Sequence, residues 1–452
     1  MTASSTWGST VSAARPRADT LGTGTVALYG LPGLVTAIPM IPVFTLLPAF
    51  YAEEVGLGLA VTGAVIFASR LVDVVTDPLV GRWADHAGSA MVRRLVGGGA
   101  LLAAPALVLL LAPPAGVGWL WLLAWSVLLY LGWTLVQIPY LTWGATLSPD
   151  YHTRTRLTAS REGAVLVGIL LSGGLPAAFG LMGYSDATSL AAMGWVAVAV
   201  GIPIFWLLLT RVPRPRPHAP APGGWRGLQR NGLFVRLLSA WFINGLANGF
   251  PAVLFPLFCA HVLAVDDATR NLLLAVYLVC GVAGVPLWLY LSRRMSRHRA
   301  WAAGMLVACP AFAVAATLGP GDVGLFMAIC VVTGLCLGAD MVLPPAIQAD
   351  VADWDRLRFG RNRTAGLFSL WNMSTKLSLA LAAGMALPVL GALGLEASPP
   401  TPGSLFGLAL IYALVPCVLK LTAVVMMLHL PLTPRAQRAV TRGLERRDLA
   451  LA

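Results

Sequence analysis

The chain has 452 residues, of which 58% are hydrophobic and only 11% charged, with a mean hydropathy of +0.77. An average soluble domain is about a quarter charged, so a soluble globular protein is excluded; at about 20 apolar residues per membrane-crossing helix, the length accommodates roughly a dozen spans. The net charge of +12 is not laid out as a basic stripe interleaved with aromatics, the footprint of nucleic-acid binding, and is read as a topology signal instead.

The first residues, MTASSTWGSTVSAARPRADT, are polar and lack the apolar core of a cleavable signal, so a cytoplasmic tail is expected over 1–23. Apolar runs bounded by charge clusters then predict twelve spans at 24–50, 58–81, 95–113, 118–147, 162–182, 188–210, 234–262, 270–291, 300–319, 322–348, 364–395 and 403–430. Arginines test this map. The even-numbered connections and the two tails hold Arg15 and Arg17, then Arg82, Arg93 and Arg94, then Arg154, Arg156 and Arg161, then Arg211 through Arg236, Arg293 through Arg299, Arg356 through Arg363, and Arg435 through Arg447. The odd-numbered connections hold Arg270 alone, among Glu53, Glu54, Asp186, Asp266, Asp267, Asp322 and Glu396. By the positive-inside rule both termini are expected in the cytoplasm.

The stretch VPRPRPHAPAPGGWRGLQRNG falls near mid-chain and reads as a linker. It divides a six-helix bundle at 24–210 from a second at 234–432, with a cytoplasmic linker at 211–233 and a basic tail at 433–452. The end of span 4, IPYLTWGATLSPD followed by RTRLTASREG, is echoed at the end of span 10 by LPPAIQADVADWD followed by RLRFGRNRTAG. Two related halves around a midplane site are the plan of a transporter.

Ionisable residues inside spans are costly and mark function. Span 2 carries Arg70, Asp73 and Asp77 on one helix face, with Thr76 beside them and Pro78 just after. Two carboxylates and a hydroxyl offer hard oxygen ligands for a small cation or a proton-sharing pair. The competing reading is that Arg70 neutralises the aspartates and the cluster only packs helices; one Asp would suffice for that, so the second favours a site. Thr134 and Gln137 lie one turn apart before Pro139 in span 4, and Arg161 opens span 5 beside Glu162. Lys376 lies about a dozen residues inside span 11, too deep to snorkel, and Asp340 is an intramembrane carboxylate in span 10. Lys420 reads as a side chain reaching an interface. Pro32, Pro39, Pro42 and Pro48 predict a bent or partly unwound span 1. Trp125, Trp133, Trp143, Trp241 and Trp371 offer faces for a ring-shaped substrate or serve as interface belts. The six cysteines have no CxxC or ligand-spaced His and read as buried spectators.

Together these stretches resemble the melibiose-permease-like glycoside–pentoside–hexuronide:cation symporters of the major facilitator superfamily. The resemblance runs from Tyr29-Gly30 through FYAEEVGL, ASRLVDVVTDPLVGRWAD, SPDYHTRTRLTASREG and ADVADWDRLRFGRNRTAGLFSLWNMSTK. It implies an all-α polytopic membrane protein with the major facilitator superfamily fold, twelve transmembrane helices in two six-helix bundles, and alternating access coupled to Na⁺ or H⁺. It further implies a cation site at Asp73 and Asp77 with Thr76 and Thr134 as auxiliary ligands, and a substrate site with Gln137, Arg161, Lys376, Tyr29 and Arg70. Asp85 and Arg93 match a degenerate form of the superfamily's gating loop. The family's two sugar-gripping carboxylates are absent, falling on Ala37 and Gln137, and its span-4 Trp falls on Leu141.

The expected function is therefore cation-coupled symport of a small organic solute, sugar-like by family. The alternative is a non-sugar substrate such as a lysolipid or organic anion, or uncoupled facilitation. No enzyme is expected, because no nucleophile–base pair, metal cluster or grouped histidines occur, and no G-x-x-x-x-G-K-[ST] loop indicates ATP as energy source. Apart from the coupling ion no cofactor is expected. The partners are a small-molecule substrate and the bilayer, without nucleic acid, for a monomer in the bacterial inner membrane.

Overall fold

A computed structural model describes residues 21–86, 88–147, 151–214, 230–360, 364–396 and 400–428, with a few positions between 439 and 446. Most of the linker and both tails lie outside them. Twelve long helical stretches follow: α1 Thr23–Glu54, α2 Leu59–His86, α3 Ser89–Leu111, α4 Trp119–Leu147, α5 Tyr151–Leu181, α6 Asp186–Arg211, α7 Gly232–His261, α8 Asp267–Arg294, α9 Arg297–Ala315, α10 Val323–Phe359, α11 Thr364–Ala392 and α12 Pro402–Leu428. Eleven are long and apolar enough to cross a membrane; the other, α9, has 19 residues and opens on Arg297, His298 and Arg299, which dilute its apolar stretch.

Expected and observed boundaries differ most at the Arg-rich end. There α5 begins eleven residues before its expected start at 162, and α10 runs eleven past its expected end at 348, before Gly360 stops it in the left-handed conformation at φ 69°. Hydropathy marks only the part of a helix that lies in hydrocarbon, whereas helical hydrogen bonding propagates into the aqueous loop.

The proline-rich α1 is interrupted as its sequence predicts. It joins α-helical Thr23–Gly30, Pro32–Ala37 and Leu47–Ala49 with wider π-helical turns at Pro42–Leu46 and Phe50–Glu54. Each of α2–α12 also contains an internal proline. Such breaks are tolerated in a membrane where neighbouring helices satisfy the freed carbonyls.

In the first half α2 packs on α4, α3 on α4 and α6, and α1 on α5; in the second α7 packs on α11 and α12, α8 on α10, and α9 on α10 and α12. The halves meet chiefly along α2 with α11 and α5 with α8, and the broken part of α1 also touches α7. Small residues permit the closest crossings, as expected where lipid removes the hydrophobic drive between helices. A Cβ on Gly99 of α3 would lie 2.7 Å from the Gly132 carbonyl of α4, and one on Gly338 of α10 would lie 2.6 Å from the Gly284 carbonyl carbon of α8.

Gly99→Val is accordingly expected to lower stability by about 1–3 kcal/mol, whereas Gly98→Ala, where an added Cβ meets nothing within 4 Å, is expected to be tolerated. Thermal unfolding of both variants in detergent checks this contrast.

Candidate functional site

The i, i+4 spacing of Asp73 and Asp77 puts both carboxylates on the side of α2 that faces α4 and α11. From α4, the Thr134 hydroxyl lies 2.9 Å from Asp73 Oδ1 and 2.7 Å from Asp77 Oδ1 and donates to one of them at a time. From α11 in the other half, Lys376 Nζ lies 3.0 Å from both oxygens of Asp73 and 2.8 and 2.7 Å from those of Asp77. The ammonium thus sits among four carboxylate oxygens. Asp73 is almost completely buried and Asp77 nearly so, while the Lys376 side chain is 29% exposed. Removed from water, such carboxylates need a partner charge, and Lys376 supplies it.

Other expected members are placed differently. Arg70 does not neutralise the aspartates; its guanidinium lies between the Phe44 and Tyr130 rings, 4.2 and 3.9 Å from their centroids, and forms no ion pair among the described residues. Cation–π contact with two ring faces holds it there. The Thr76 hydroxyl donates to the Asp73 carbonyl at 3.1 Å, one turn back on its own helix, and so does not join the carboxylate site. Tyr29 is buried against Tyr140: its hydroxyl donates to the Tyr140 carbonyl at 3.2 Å while the Tyr140 hydroxyl donates to the Tyr29 carbonyl. This reciprocal pair clips α1 to α4 and uses the Tyr29 hydroxyl's proton within the protein. Arg161 is paired with Glu162, its neighbour in sequence. Gln137 is half-buried, one turn beyond Thr134. Arg93 is half-buried near the start of α3; the Asp85 side chain lies outside the described residues.

Three of the five tryptophans pack within the protein, while Trp133 lines an apolar cavity of ≈ 360 Å³ in the first half. Trp241 stacks on Trp371 with centroids 4.5 Å apart and donates to Thr375 Oγ1 at 2.6 Å, and Trp143 is fully buried and donates to the Pro213 carbonyl at 2.8 Å. Ala37, where the family places a sugar-binding carboxylate, is buried and its Cβ lies 2.6 Å from where a Cβ on Gly168 of α5 would stand. Position 37 is thus interlocked with α5.

A second polar cluster lies inside the other half, and sequence reasoning missed it. Lys420 does not reach an interface: it is buried, with Nζ 3.5 Å from Asp340 Oδ2, and it donates to Asn244 Oδ1 at 3.1 Å and Asn248 Oδ1 at 2.7 Å. Both asparagines donate in turn to Asp340, as does Trp301. The available signal was Asn244 and Asn248, two amides at i, i+4 in the apolar run of α7.

At the acidic end the halves are tied by polar contacts. Arg270, the lone basic residue of the odd-numbered connections, pairs with Asp186 across the seam and with Asp267 at 2.9 Å. His261 lies 2.7 Å from Glu53, and Glu396 accepts from the Leu59 amide. Among the described residues, cross-half polar contacts extend from the acidic end no further than Lys376.

Twelve packed apolar helices, divided into halves that meet at a buried charge cluster, define a polytopic membrane transporter with the major facilitator superfamily fold, not an enzyme. The family model for MFS/sugar transport proteins matches residues 28–434, and the chain belongs to that family. Its relatives include the sphingosine-1-phosphate transporter MFSD2B of Xenopus tropicalis, 25% identical over 355 residues, 69% of this chain and 68% of that protein. The human sodium-dependent lysophosphatidylcholine symporter 1 is 27% identical over 130 residues, 29% of this chain and 24% of that protein. Among solved structures, a bacterial homolog of the human lysosomal transporter Spinster has the same fold, with a TM-score of 0.56, 16% identity, and coverage of 94% of this chain and 96% of that one.

Lys376→Gln leaves two buried carboxylates facing each other and is expected to cost about 3 kcal/mol. Adding Asp77→Asn is expected to restore much of that loss, so the two changes are non-additive. Thermal unfolding of the wild type, both single variants and the double variant in sodium-free detergent checks this; additive losses would sink the idea of one charge-balanced unit.

Proposed function

We propose that the chain is a cation-coupled symporter that moves a lysolipid-like amphiphile with a phosphate-bearing head by alternating access. The observation that carries the reading is the Lys376 ammonium lying 2.7–3.0 Å from all four oxygens of Asp73 and Asp77. It occupies the place a coupling cation would take. Na⁺ bound by the two carboxylates and Thr134, or H⁺ bound by one carboxylate, replaces the lysine's charge and frees Lys376 for the head group's phosphate. The head group in turn keeps the ammonium away from the carboxylates. Each ligand therefore favours binding of the other, and by linkage the coupling is reciprocal.

The names of the relatives, sphingosine-1-phosphate and lysophosphatidylcholine transporters, support an amphiphile over a sugar. So does the loss of both sugar-gripping carboxylates: Ala37 is packed on Gly168, and Gln137 carries no charge. Sites built to hydrogen-bond hydroxyls discriminate strongly by that bonding, and this chain lacks the groups. In this reading Gln137 lies beside the head group one turn from Thr134, Arg161 exchanges Glu162 for substrate, and Asp85 with Arg93 latches the Arg-rich end when it closes. In the same reading the Arg-rich end and both termini face the cytoplasm, supported by the positive-inside bias of the arginines, and the membrane is a bacterial inner membrane. The protein acts as a monomer.

Uptake into proteoliposomes tests the reading with labelled lysophosphatidylcholine, sphingosine-1-phosphate and melibiose under imposed Na⁺ or pH gradients. Lysolipid uptake is expected to follow one of the gradients and to fall about tenfold or more in Asp77→Asn, equivalent to at least ~1.4 kcal/mol of lost cation binding, with melibiose inert. Lysolipid flux indifferent to both gradients and to Asp77→Asn would remove the coupling role; melibiose uptake would remove the substrate class.

A further inference from the structure

A cavity of ≈ 380 Å³ opens at the Arg-rich end of the second half, between the last turn of α8, the first turn of α9 and the middle of α10, and is separate from the Asp73–Asp77–Lys376 cluster. Its wall has two characters. Leu289 and Val342 contribute to an apolar side, while Arg293, Arg297, His298 and Asp350 form a polar one. Asp350 is held by Arg297, whose Nη1 lies 2.6 Å from both carboxylate oxygens. Arg293 has no ion-pair partner among the described residues and is exposed at the rim. Arg294 and Arg299 are close in sequence but do not line the cavity; the Arg294 guanidinium lies 4.8 Å from the ring centroid of outward-facing Tyr290. Among the described lining residues, Arg293 and Arg297 set against Asp350 leave one net positive charge.

Its position says what supplies the counter-charge. Apolar α8 ends at Arg294 and α9 begins at Arg297, which puts the turn at the edge of the hydrocarbon. Outward-facing Leu289, Tyr290 and Met295 beside it, between 38% and 51% exposed, present apolar and aromatic surface to the bilayer. A pocket with a cationic floor and an apolar side, open at that level, matches the junction between a lipid's phosphate and its acyl chains. The Ser296 side chain makes no capping hydrogen bond, so the first amides of α9 add a favourable dipole for an anion.

We propose that this cavity binds the phosphate head of an anionic membrane lipid, with Arg293 as the principal charge contact and Arg297, shared with Asp350, as the second. Such a lipid clamps α8, α9 and α10 together at one end of the second half. The site does not depend on which solute the transporter carries.

The test uses the full-length protein in phosphatidylcholine nanodiscs titrated with phosphatidylglycerol, read by melting temperature and by native mass spectrometry of retained lipid. The wild type is expected to gain melting temperature with phosphatidylglycerol and to retain that lipid. Arg293→Gln is expected to shift the titration midpoint about fivefold upward, while Arg293→Lys and the remote Arg211→Gln behave as wild type. Inorganic phosphate at the same concentration is expected to have no effect. An equal shift from inorganic phosphate would assign the cavity to a soluble anion and overturn the proposal. Equal losses in Arg293→Gln and Arg211→Gln would reduce the effect to general surface charge and overturn it too. Should Arg293→Gln fail to fold, the wild type alone decides: retaining no phosphatidylglycerol over phosphatidylcholine, it would equally overturn the lipid site.

Discussion

An ammonium held between two buried carboxylates at the boundary of the two halves is the constraint to which the rest of the architecture answers. Bringing Asp73 and Asp77 within reach of one cation would be prohibitive in hydrocarbon without that cation. The cation comes from α11, in the opposite half, so charge balance in the first half depends on how the second is docked. Thr134 brings α4 into the same arrangement and fixes the two Oδ1 atoms on one side. Any motion that draws α2 and α11 apart must either leave two bare carboxylates or place another cation on them. Under the proposed coupling, this is how an ion in solution gains leverage over a helix seam.

The seam itself is built for close contact. On α2, a Cβ at Gly63 would lie 2.9 Å from Pro388 Cδ of α11, and on α11 a Cβ at Gly384 would lie 2.8 Å from Phe67 Cβ. Between α5 and α8, a Cβ at Gly180 would lie 3.0 Å from the Ala268 Cα. Larger side chains seat on the small ones across these crossings, Phe67 on Gly384 and Leu278 of α8 on Gly173 of α5. The firm attachments lie at the acidic end, where Arg270 pairs with Asp186, both largely out of water, and with the exposed Asp267. The halves are thus hinged and tied at one end, paired by charge at mid-depth, and free of cross-half polar contacts beyond that among the described residues.

Much of this was legible in the chain, for physical reasons that also set the limits. Spans are readable because hydrocarbon demands long apolar runs and arginines mark the loops; helix ends are not, because α5 and α10 continue into water where hydropathy carries no signal. Asp73 and Asp77 stand out because an intramembrane carboxylate needs an explanation. Their partner is harder to see. Arg70 lies one turn from Asp73 and is the nearest positive charge in sequence, but proximity along a helix says nothing about which way a long side chain turns, and the Phe44 and Tyr130 rings that hold it come from other helices. Lys376 is 303 residues from Asp73 in sequence, and only the packing of α11 on α2 brings it there. The partner of Tyr29 is hidden for a similar reason: its hydroxyl donates to the Tyr140 carbonyl, 111 residues away in sequence.

Among the described residues two intramembrane lysine–carboxylate clusters occur, and their difference explains why, under the proposed coupling, only one serves as a switch. Lys420 and Asp340 belong to the same half, with Asn244, Asn248 and Trp301 of that half completing their hydrogen bonds. A rigid rocking of the halves changes no distance within that set, and each amide presents its oxygen to the lysine and its nitrogen to the aspartate. Such a fully satisfied network braces α7, α10 and α12 against one another. Lys376 has no comparable shell on its own helix; its contacts are with the opposite half, and it is the more exposed of the two lysines, at 29% against 5%. Rigidity in the second half and exchangeability at the seam therefore arise from the same pair of residue types, and are separated by whether the partners lie within one half or across the boundary.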